Sequence, residues 1–190
     1  NCSSLTEMIL PFVGSSKTAD GYQALFGYIF GYLTRSSSSL TISGATYQYG
    51  KSGEYYYYYI PTSLKQVTIT GGSIGNSAFR NCSSLTSITI LDGVTSIGER
   101  AFYDCNGLTS ITILDGVTSI DSSAFSSCDS LQYNIEGNLK YLGNASNPYL
   151  YLVDTTSTSI STATINERCK LIGNSAFSGC SSLTSITIPD

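Results

Sequence analysis

A 23-residue repeat limits the folds that this chain can adopt. Ile74, Ile97 and Ile120 each begin the motif Ile-x-x-x-Ala-Phe-x-x-Cys, and the motif returns at Ile172. A fixed period of this length is typical of solenoids, in which each repeat forms one coil that stacks on its neighbours. Equivalent positions in successive coils form a column. The chain is therefore predicted to be a stack of similar coils.

The stretch "LTSITI" predicts one β-strand in each coil. Its apolar residues Leu108, Ile111 and Ile113 have the spacing L-x-x-L-x-L, which ends in the alternation of a strand. We expect the strand over Ser110–Ile113, with the apolar side chains facing the core. Stacked strands then form a parallel sheet that carries Ser and Thr on its outer face. These outer columns contain Ser87, Thr89, Ser110 and Thr112.

The remaining parts of the coil are predicted to reverse the chain. The stretch "LDGV" has the composition of a turn, with Gly93 and Gly116 in equivalent positions. The stretch "NSAFRNC" is too short for a free-standing helix, so we expect one helical turn or a 3₁₀ turn. Its Ala, Phe and Cys side chains are expected to pack inward.

The complete motif, I-G-x-x-A-F-x-x-C-x-x-L-T-S-I-T-I-P, resembles the BspA-like leucine-rich repeats of surface proteins from bacteria and some parasitic protists. The resemblance implies an α/β solenoid, a right-handed leucine-rich repeat horseshoe with a parallel sheet on its concave face and short turns on its convex face. Regular matches cover residues 74–131 and 172–190. Residues 1–190 are therefore expected to form a single solenoid with two insertions.

The first insertion is expected over residues 12–63. After a candidate N-cap at Asp20, aromatic and aliphatic residues recur at helical spacing. Three glycines weaken the helix prediction, so a strand remains an alternative. A Tyr-rich β-hairpin follows, with its turn at residues 50–53. The residues at helical spacing are Tyr22, Leu25, Phe26, Ile29, Phe30 and Leu33.

The second insertion is expected over residues 132–159, where a degenerate repeat replaces its Ala-Phe-Cys turn by a hairpin over residues 140–154. The hairpin is predicted to turn at residues 144–148. We align residues 142–144 with residues 172–174, and residues 160–165 with residues 85–90. This alignment places Cys169 in the column of Val94 and Val117.

The charge content argues against several classes of function. Only 12% of the residues are charged and the net charge is −4, so no basic surface is expected for nucleic acid or anionic lipid. No apolar run reaches the roughly 18 residues of a membrane-spanning helix. The chain begins within a repeat, at "NCSSLTEMIL", and is expected to be a piece of a longer protein whose missing ends carry any signal or anchor.

Catalysis and metal binding are not expected. The chain contains no His and no C-x-x-C pair, so we predict no zinc site, no cofactor and no nucleophile activated by His. Asp92 and Asp115 share a column, and a glycosidase-like pair of carboxylates is the alternative to two repeated turn residues. We favour the turn interpretation and predict that the protein is not an enzyme.

Five of the six cysteines fall in one column, which argues against a disulfide framework. Neighbouring coils are about 4.8 Å apart, but the Cβ vectors of equivalent residues run parallel and do not converge. We therefore predict unpaired thiols that fill a small apolar space in the core. The column contains Cys2, Cys82, Cys105, Cys128 and Cys180.

Tyrosines in the two insertions are the main candidates for ligand binding, because their rings offer large, stiff and amphipathic contact area. Strand alternation divides Tyr55–Tyr59 between two faces, and we expect Tyr56 and Tyr58 to be the more exposed. The alternative is that both sets pack in the interior. The outer Ser and Thr columns are a second candidate, although Thr also suits strands for its shape alone. The tyrosine candidates are Tyr47, Tyr49, Tyr55, Tyr56, Tyr57, Tyr58, Tyr59, Tyr149 and Tyr151.

The resemblance implies a function in recognition at the cell surface or after secretion. We expect adhesin-like binding of an extracellular protein or glycan from a host or a neighbouring cell. A structural spacer within a larger surface protein is the first alternative, and a glycan-acting enzyme is the second.

Overall fold

The structure is a computed structural model that describes residues 2–19, 21–38, 42–49 and 54–189. Within these residues the chain forms strands, turns and two 3₁₀ helices, Gly21–Ala24 and Phe26–Phe30. No helix in these ranges is long and apolar enough to cross a membrane. In chain order, the strands are β1 Glu7–Leu10, β2 Tyr32–Ser36, β3 Thr46–Tyr49, β4 Tyr55–Tyr58, β5 Gln66–Ile69, β6 Gly72–Ile74, β7 Ser87–Ile90, β8 Val94–Ile97, β9 Ser110–Ile113, β10 Ser119–Ile120, β11 Asn134–Glu136, β12 Leu139–Leu142, β13 Tyr151–Thr155, β14 Thr162–Thr164, β15 Leu171–Ile172 and β16 Ser185–Thr187.

Successive coils stack through a parallel sheet with the strand order β1-β5-β7-β9. Ile88 lies opposite Ile111, and Ile90 lies opposite Ile113, in unbroken register. All four side chains are buried, because every second residue of each strand faces the core. The predicted strand at Ser110–Ile113 is therefore confirmed.

Each central coil also contributes a second strand, which the sequence had suggested only as the end of a turn. The turn itself is present, since the Val94 N–H group donates to the Leu91 carbonyl at 2.9 Å. The chain then continues as β8, which lies between β6 and β10 in a second parallel sheet. Ile97 pairs with Ile74 on one side and Ile120 on the other, so the first residue of the repeat motif forms a column.

The third part of the coil is a ladder of turns. In the coils that begin at Ile74 and Ile97, every second N–H group of this part donates to a carbonyl three residues earlier, and the N–H groups between them donate to carbonyls of the next coil. These inter-coil bonds use donors that an α-helix would need for its own carbonyls. The predicted α/β character is not confirmed: the described residues contain no α-helix, and the chain is a β-solenoid. The inter-coil bonds of this turn ladder join Ser77 to Glu99, Phe79 to Ala101, Asn81 to Tyr103, Arg100 to Ser122, Phe102 to Ala124 and Asp104 to Ser126.

Left-handed residues occur at fixed positions of the turn ladder. A positive φ costs an ordinary residue about 1–2 kcal/mol, and Asn, Asp and Gly tolerate it best. One of the two left-handed columns accordingly contains Asn, Asp, Ser and Gly. These reversals interrupt the right-handed path of the chain every few residues and prevent a helix from forming. The two columns are Ser77, Arg100, Ser123, and Asn81, Asp104, Ser127 with Gly179.

A stack of phenylalanine rings fills the interior beside the turn ladder. The rings of Phe79 and Phe102 lie 5.2 Å apart with an interplanar angle of 12°, and those of Phe102 and Phe125 lie 5.4 Å apart with an angle of 3°. All three side chains are buried. Each stacked pair contributes about 0.5–1.5 kcal/mol beyond the burial of its surface. The repeated Phe therefore ties neighbouring coils together.

The cysteine column lies next to these rings, and all six thiols of the chain are unpaired, as predicted. The Cys105 thiol donates to the Phe79 carbonyl at 3.0 Å, and the Cys128 thiol donates to the Phe102 carbonyl at 3.0 Å. Burial raises the pKa of Cys128 to about 11 and raises the pKa values of Cys82 and Cys105 as well. Cys2 is exposed.

The reactivity of the thiols tests directly whether the cysteines of the column are buried and unpaired. In the native protein at pH 8, a thiol reagent is expected to modify Cys2 quickly and to leave Cys82, Cys105 and Cys128 unmodified. The same titration in denaturant without reductant should find six reactive thiols; a smaller number would contradict the unpaired column.

Since folding raises the pKa of Cys128 from 9.0 to about 11, the contribution of this thiol to the free energy of unfolding should be complete below pH 9 and lost as the pH rises to 11.

The predicted first insertion, residues 12–63, contains 3₁₀ helices and a three-stranded antiparallel sheet in place of the predicted α-helix. Its strand order is β2-β4-β3. Gly31, with a φ value of 91°, directly follows the second 3₁₀ helix and ends it. The chain then enters β2, so the alternative prediction of a strand is correct for the C-terminal end of the segment that was predicted to be helical. The predicted pairing of β3 with β4 is present, whereas Asp20 and residues 50–53 lie outside the described residues.

This insertion takes the place of a preceding coil at one end of the turn ladder. The Phe26 N–H group donates to the Ala78 carbonyl at 2.8 Å, as Phe79 and Phe102 do to the coils that follow them. The ring of Phe26 stacks on Phe79 at 4.6 Å. The buried side chain of Gln48 donates to the carbonyls of Ala78 and Arg80. The acceptor edge of the ladder is thus capped at Ala78 and Arg80.

The predicted second insertion, residues 132–159, contains a meander in which β12 pairs with β11 and β13. The predicted turn at 144–148 is present: the Asn144 side chain accepts bonds from the N–H groups of Ser146 and Asn147. Tyr151, the first residue of β13, lies against Phe125 with a ring distance of 6.1 Å. Tyr151 therefore caps the phenylalanine stack on this side.

The alignment of this degenerate repeat is correct in one part and wrong in another. Ala163 pairs with Ile186 in parallel register, as expected if residues 160–165 replace residues 85–90. However, the residue opposite Ile172 is Leu152 rather than Leu142. Leu142 lies in a strand antiparallel to β13, because the hairpin reverses the chain before the repeat resumes.

Candidate recognition surfaces

The Tyr-rich strand β4 lies in the interior of the first insertion. Tyr56, Tyr57 and Tyr58 are only 7%, 1% and 0% exposed. The prediction that Tyr56 and Tyr58 are the exposed members is wrong. Strand alternation separates the two faces correctly, but β4 is the central strand of its sheet and both of its faces are covered.

The other tyrosine candidates differ in exposure. Tyr59, just beyond β4, is 47% exposed. Tyr47 and Tyr55 are half-buried and meet edge to face, with 5.3 Å between their ring centroids. Tyr49 pairs with Tyr55 along the strands. In the second insertion Tyr149 is half-buried against Tyr141, and the buried Tyr151 belongs to the core.

An exposed group of tyrosines covers Tyr56 and Tyr58, and we call it the tyrosine patch. It consists of Tyr22 and Tyr32, which are exposed, and Tyr28, which is half-buried; the buried Tyr56 lies beneath them and is not part of the patch. Tyr22 stacks on Tyr56 at 5.3 Å with an angle of 14°, and its ring lies 6.3 Å from that of Tyr32. Tyr22 and Tyr32 are 40% and 48% exposed. The sequence analysis placed Tyr22 at helical spacing in a predicted helix and gave Tyr32 no role.

The outer face of the sheet β1-β5-β7-β9 carries the predicted polar columns. Ser87 lies opposite Ser110, and Thr89 lies opposite Thr112. Ser110 is exposed and the other three are half-buried. The same columns continue into β5 and β1, where the residue types are less uniform. They contain Gln66 and Thr68 in β5, and Glu7 and the exposed Ile9 in β1.

Asp92 and Asp115, the two carboxylates that share a column, lie in turns and accept hydrogen bonds there. The Asp92 carboxylate accepts a bond from the Gly116 N–H group at 3.2 Å. Asp115 accepts bonds from Lys170 at 2.7 Å and Asn144 at 3.2 Å, and these bonds lower the pKa of its exposed carboxyl. Across the described residues, no group of three or more His, Cys, Asp or Glu side chains could hold a metal ion.

Comparison with protein families accounts for the repeat. The family model for the BspA type leucine rich repeat region matches residues 51–148 and 155–190, in six copies. The chain belongs to the BspA type leucine rich repeat family. In this BspA-type chain, the matched residues include every coil of the turn ladder and both sides of the second insertion. The first insertion lies largely outside the match.

Several solved structures are similar to this BspA-type chain. The crystal structure of a leucine rich repeat protein from T. pallidum shares 22% identity over 80% of this chain and 72% of its own, with a TM-score of 0.43. A leucine rich cell surface protein from Faecalibacterium prausnitzii A2-165 shares 26% identity, with a TM-score of 0.37; the match covers 81% of this chain and 44% of that protein. A leucine-rich repeat protein from Eubacterium ventriosum shares 22% identity over 67% of this chain and 48% of its own, with a TM-score of 0.30. No curated protein shows significant similarity to the sequence.

Proposed function

We propose that this chain is a non-catalytic recognition module of a cell-surface or secreted protein and that it binds an extracellular protein or glycan. The observation that carries the proposal is the tyrosine patch. Residues 12–63 and 132–159 are then insertions within a single solenoid, residues 1–190, and the first of them supplies the contact surface. Membership of the BspA type family supports a repeat-based binding role.

The tyrosine patch has the properties of a preformed contact surface. Soluble proteins usually bury large aromatic rings, so two neighbouring exposed tyrosines suggest a partner. Tyr22 and Tyr32 rest on Tyr56 and Tyr58, which are fixed in the core, so little conformational entropy would be lost on binding. A ring with a hydroxyl at its edge suits both protein and glycan surfaces. The polar columns of Ser87, Ser110, Thr89 and Thr112 provide a second, flatter candidate surface.

A binding screen with matched variants tests this proposal. The protein is immobilised and screened against extracellular matrix proteins and a glycan array, and each ligand found is titrated. Tyr22→Ser combined with Tyr32→Ser is expected to weaken binding roughly 5- to 150-fold, or about 1–3 kcal/mol, the range of aromatic interface anchors. Tyr59→Ser is the control, because Tyr59 is equally exposed but lies outside the tyrosine patch.

The outcomes separate recognition from a structural role. Loss of binding in the double variant but not in the control supports the tyrosine patch, provided that both variants keep the melting temperature of the parent within a few degrees. A screen in which no ligand binds the parent would favour a spacer. Equal weakening by the Tyr59 control would move the site away from the tyrosine patch.

A further inference from the structure

We infer that a cleft between the coil that begins at Ile120 and the coil that begins at Ile172 binds an extended segment of polypeptide, which completes the turn ladder. This site is separate from the tyrosine patch and does not depend on the ligand of that patch. The second insertion creates the cleft, because its hairpin replaces the turn that a regular coil would place between these two coils. The cleft has a volume of about 560 Å³, within the range of roughly 300–1,000 Å³ of ligand-binding sites.

One wall of the cleft offers backbone donors. Residues 123–129 form this wall. In the two preceding coils, the N–H groups of the equivalent columns donate to the next coil, as Phe79 does to Ala101 and Phe102 does to Ala124. Within the described part of the chain, the N–H groups of Ser123, Phe125 and Ser127 have no protein partner. The donor edge of the ladder is therefore open.

The opposite wall offers backbone acceptors. Asn174 and Ser178 line it, and Ala176 lies between them in the sequence. These three residues occupy the columns of Glu99, Ala101 and Tyr103, whose carbonyls accept bonds from the preceding coil. None of the described residues donates to the carbonyls of Asn174, Ala176 or Ser178. The cleft thus lies between three unbonded donors on one side and three unbonded acceptors on the other, of which those of Asn174 and Ser178 are on its lining.

This arrangement favours a peptide over other ligands. An extended polypeptide presents carbonyls and N–H groups in alternation, and backbone pairing of this kind underlies strand addition to open sheet edges. The opposite end of the ladder is closed by residues of this chain, since Phe26 and Gln48 bond to the acceptor edge at Ala78 and Arg80. The edge beside the second insertion is not closed in this way and remains open to a partner.

The floor of the cleft limits the side chains that fit. Tyr151 already occupies the place of the next phenylalanine, against Phe125. A bound segment therefore needs a small residue where a regular coil has Phe. Lys140 and Asp154, 3.8 Å apart, form an ion pair on the lining, and Asp129 adds a further negative charge. The preferred segment is neutral or basic and carries a small residue at its centre.

A synthetic peptide provides the probe. Residues 98–106, acetylated and amidated, with the changes Phe102→Ala, Asp104→Asn and Cys105→Ser, reproduce the turn of a regular coil as a neutral peptide with a small central side chain. Titration of the ¹⁵N-labelled protein is expected to shift the amide signals of Ser123, Phe125 and Ser127 saturably and to slow their hydrogen exchange. The same peptide N-methylated at positions 100, 102 and 104, the donors to the acceptor wall, should bind at least tenfold more weakly.

Variants of the protein complete the test. Ser178→Trp fills the cleft and is expected to weaken peptide binding at least tenfold. Ser181→Trp, an exposed position outside the cleft, is the matched control and should not change it. The proposal is overturned if the peptide shifts no signals at millimolar concentration, if N-methylation has no effect, or if the shifts lie elsewhere. Shifts at the same amides produced by a glycan alone, or by raising the protein concentration alone, would assign the cleft to another occupant and also overturn it.

Discussion

Tyr58→Ser is expected to lower the free energy of unfolding by roughly 3–5 kcal/mol, the usual cost of removing a buried aromatic ring. Tyr58 is fully buried, and its ring lies directly against the backbone of Gly27, where even a Cβ atom would collide with it. Its hydroxyl group donates to the Tyr22 carbonyl at 3.2 Å. The variant loses this packing and one of the two hydrogen bonds to that carbonyl, which keeps the bond from the Leu25 N–H group. Addition of Tyr56→Ser should increase the loss, because Tyr56 supports Tyr22.

Denaturant unfolding followed by circular dichroism measures this effect. The control is Tyr59→Ser, which changes the next residue in the sequence but removes a ring that is 47% exposed. Its effect is expected to stay within about 0.5 kcal/mol, as for most surface substitutions. A Tyr58→Ser protein as stable as the control would show that β4 does not belong to the core.

The coil could be predicted from the sequence because the same local pattern is repeated. Because Ile88 and Ile111 stack in register, the Ile111 side chain must face the core if the Ile88 side chain does. The parallel sheet, the inward Phe and Cys columns and the unpaired thiols follow from this stacking. The absence of a helix in the repeat could not be deduced as easily. It results from left-handed residues such as Ser77 and Arg100, which are not residue types that favour this conformation.

The insertions were less predictable because they have no repeated neighbour to fix their packing. Alternation along β4 separates its two faces, but it does not tell which elements cover them. The covering elements are distant in sequence: Tyr22 lies over Tyr56, and Gly27 lies against Tyr58. The tyrosine patch was missed for the same reason. One signal was available, since Gly31 before Tyr32 marks the end of a helical segment and the start of an exposed strand.

Removal of one complete coil is the second change with a large expected effect, and its outcome depends on the phase of the deletion. Deletion of residues 97–119 removes one 23-residue period and joins Ser96 to Ile120. The register of the coils places Ser96 opposite Ser119 and Ile97 opposite Ile120, so the new junction matches the old one. Nearest-neighbour stacking should then be restored between the coils on either side.

Residues one period earlier can replace the interactions that the deleted coil makes with its neighbours. Phe79 would stack on Phe125 in place of Phe102. The positions of Thr112 and Asp115, which pair with Gly143 and Lys170, would be taken by Thr89 and Asp92. Deletion of residues 97–108, about half a period, offers no such replacements. It would leave core positions facing solvent and is expected to abolish folding.

The measurement that most directly tests the β-solenoid is therefore cooperative denaturant unfolding of these two deletion variants, monitored by far-ultraviolet circular dichroism. We expect the 97–119 deletion to keep a β-rich spectrum and a single transition, with an m value reduced in proportion to the missing coil. We expect the 97–108 deletion to show no transition. If the 97–119 deletion fails to fold, or if both deletions fold equally well, the chain is not a stack of interchangeable 23-residue coils.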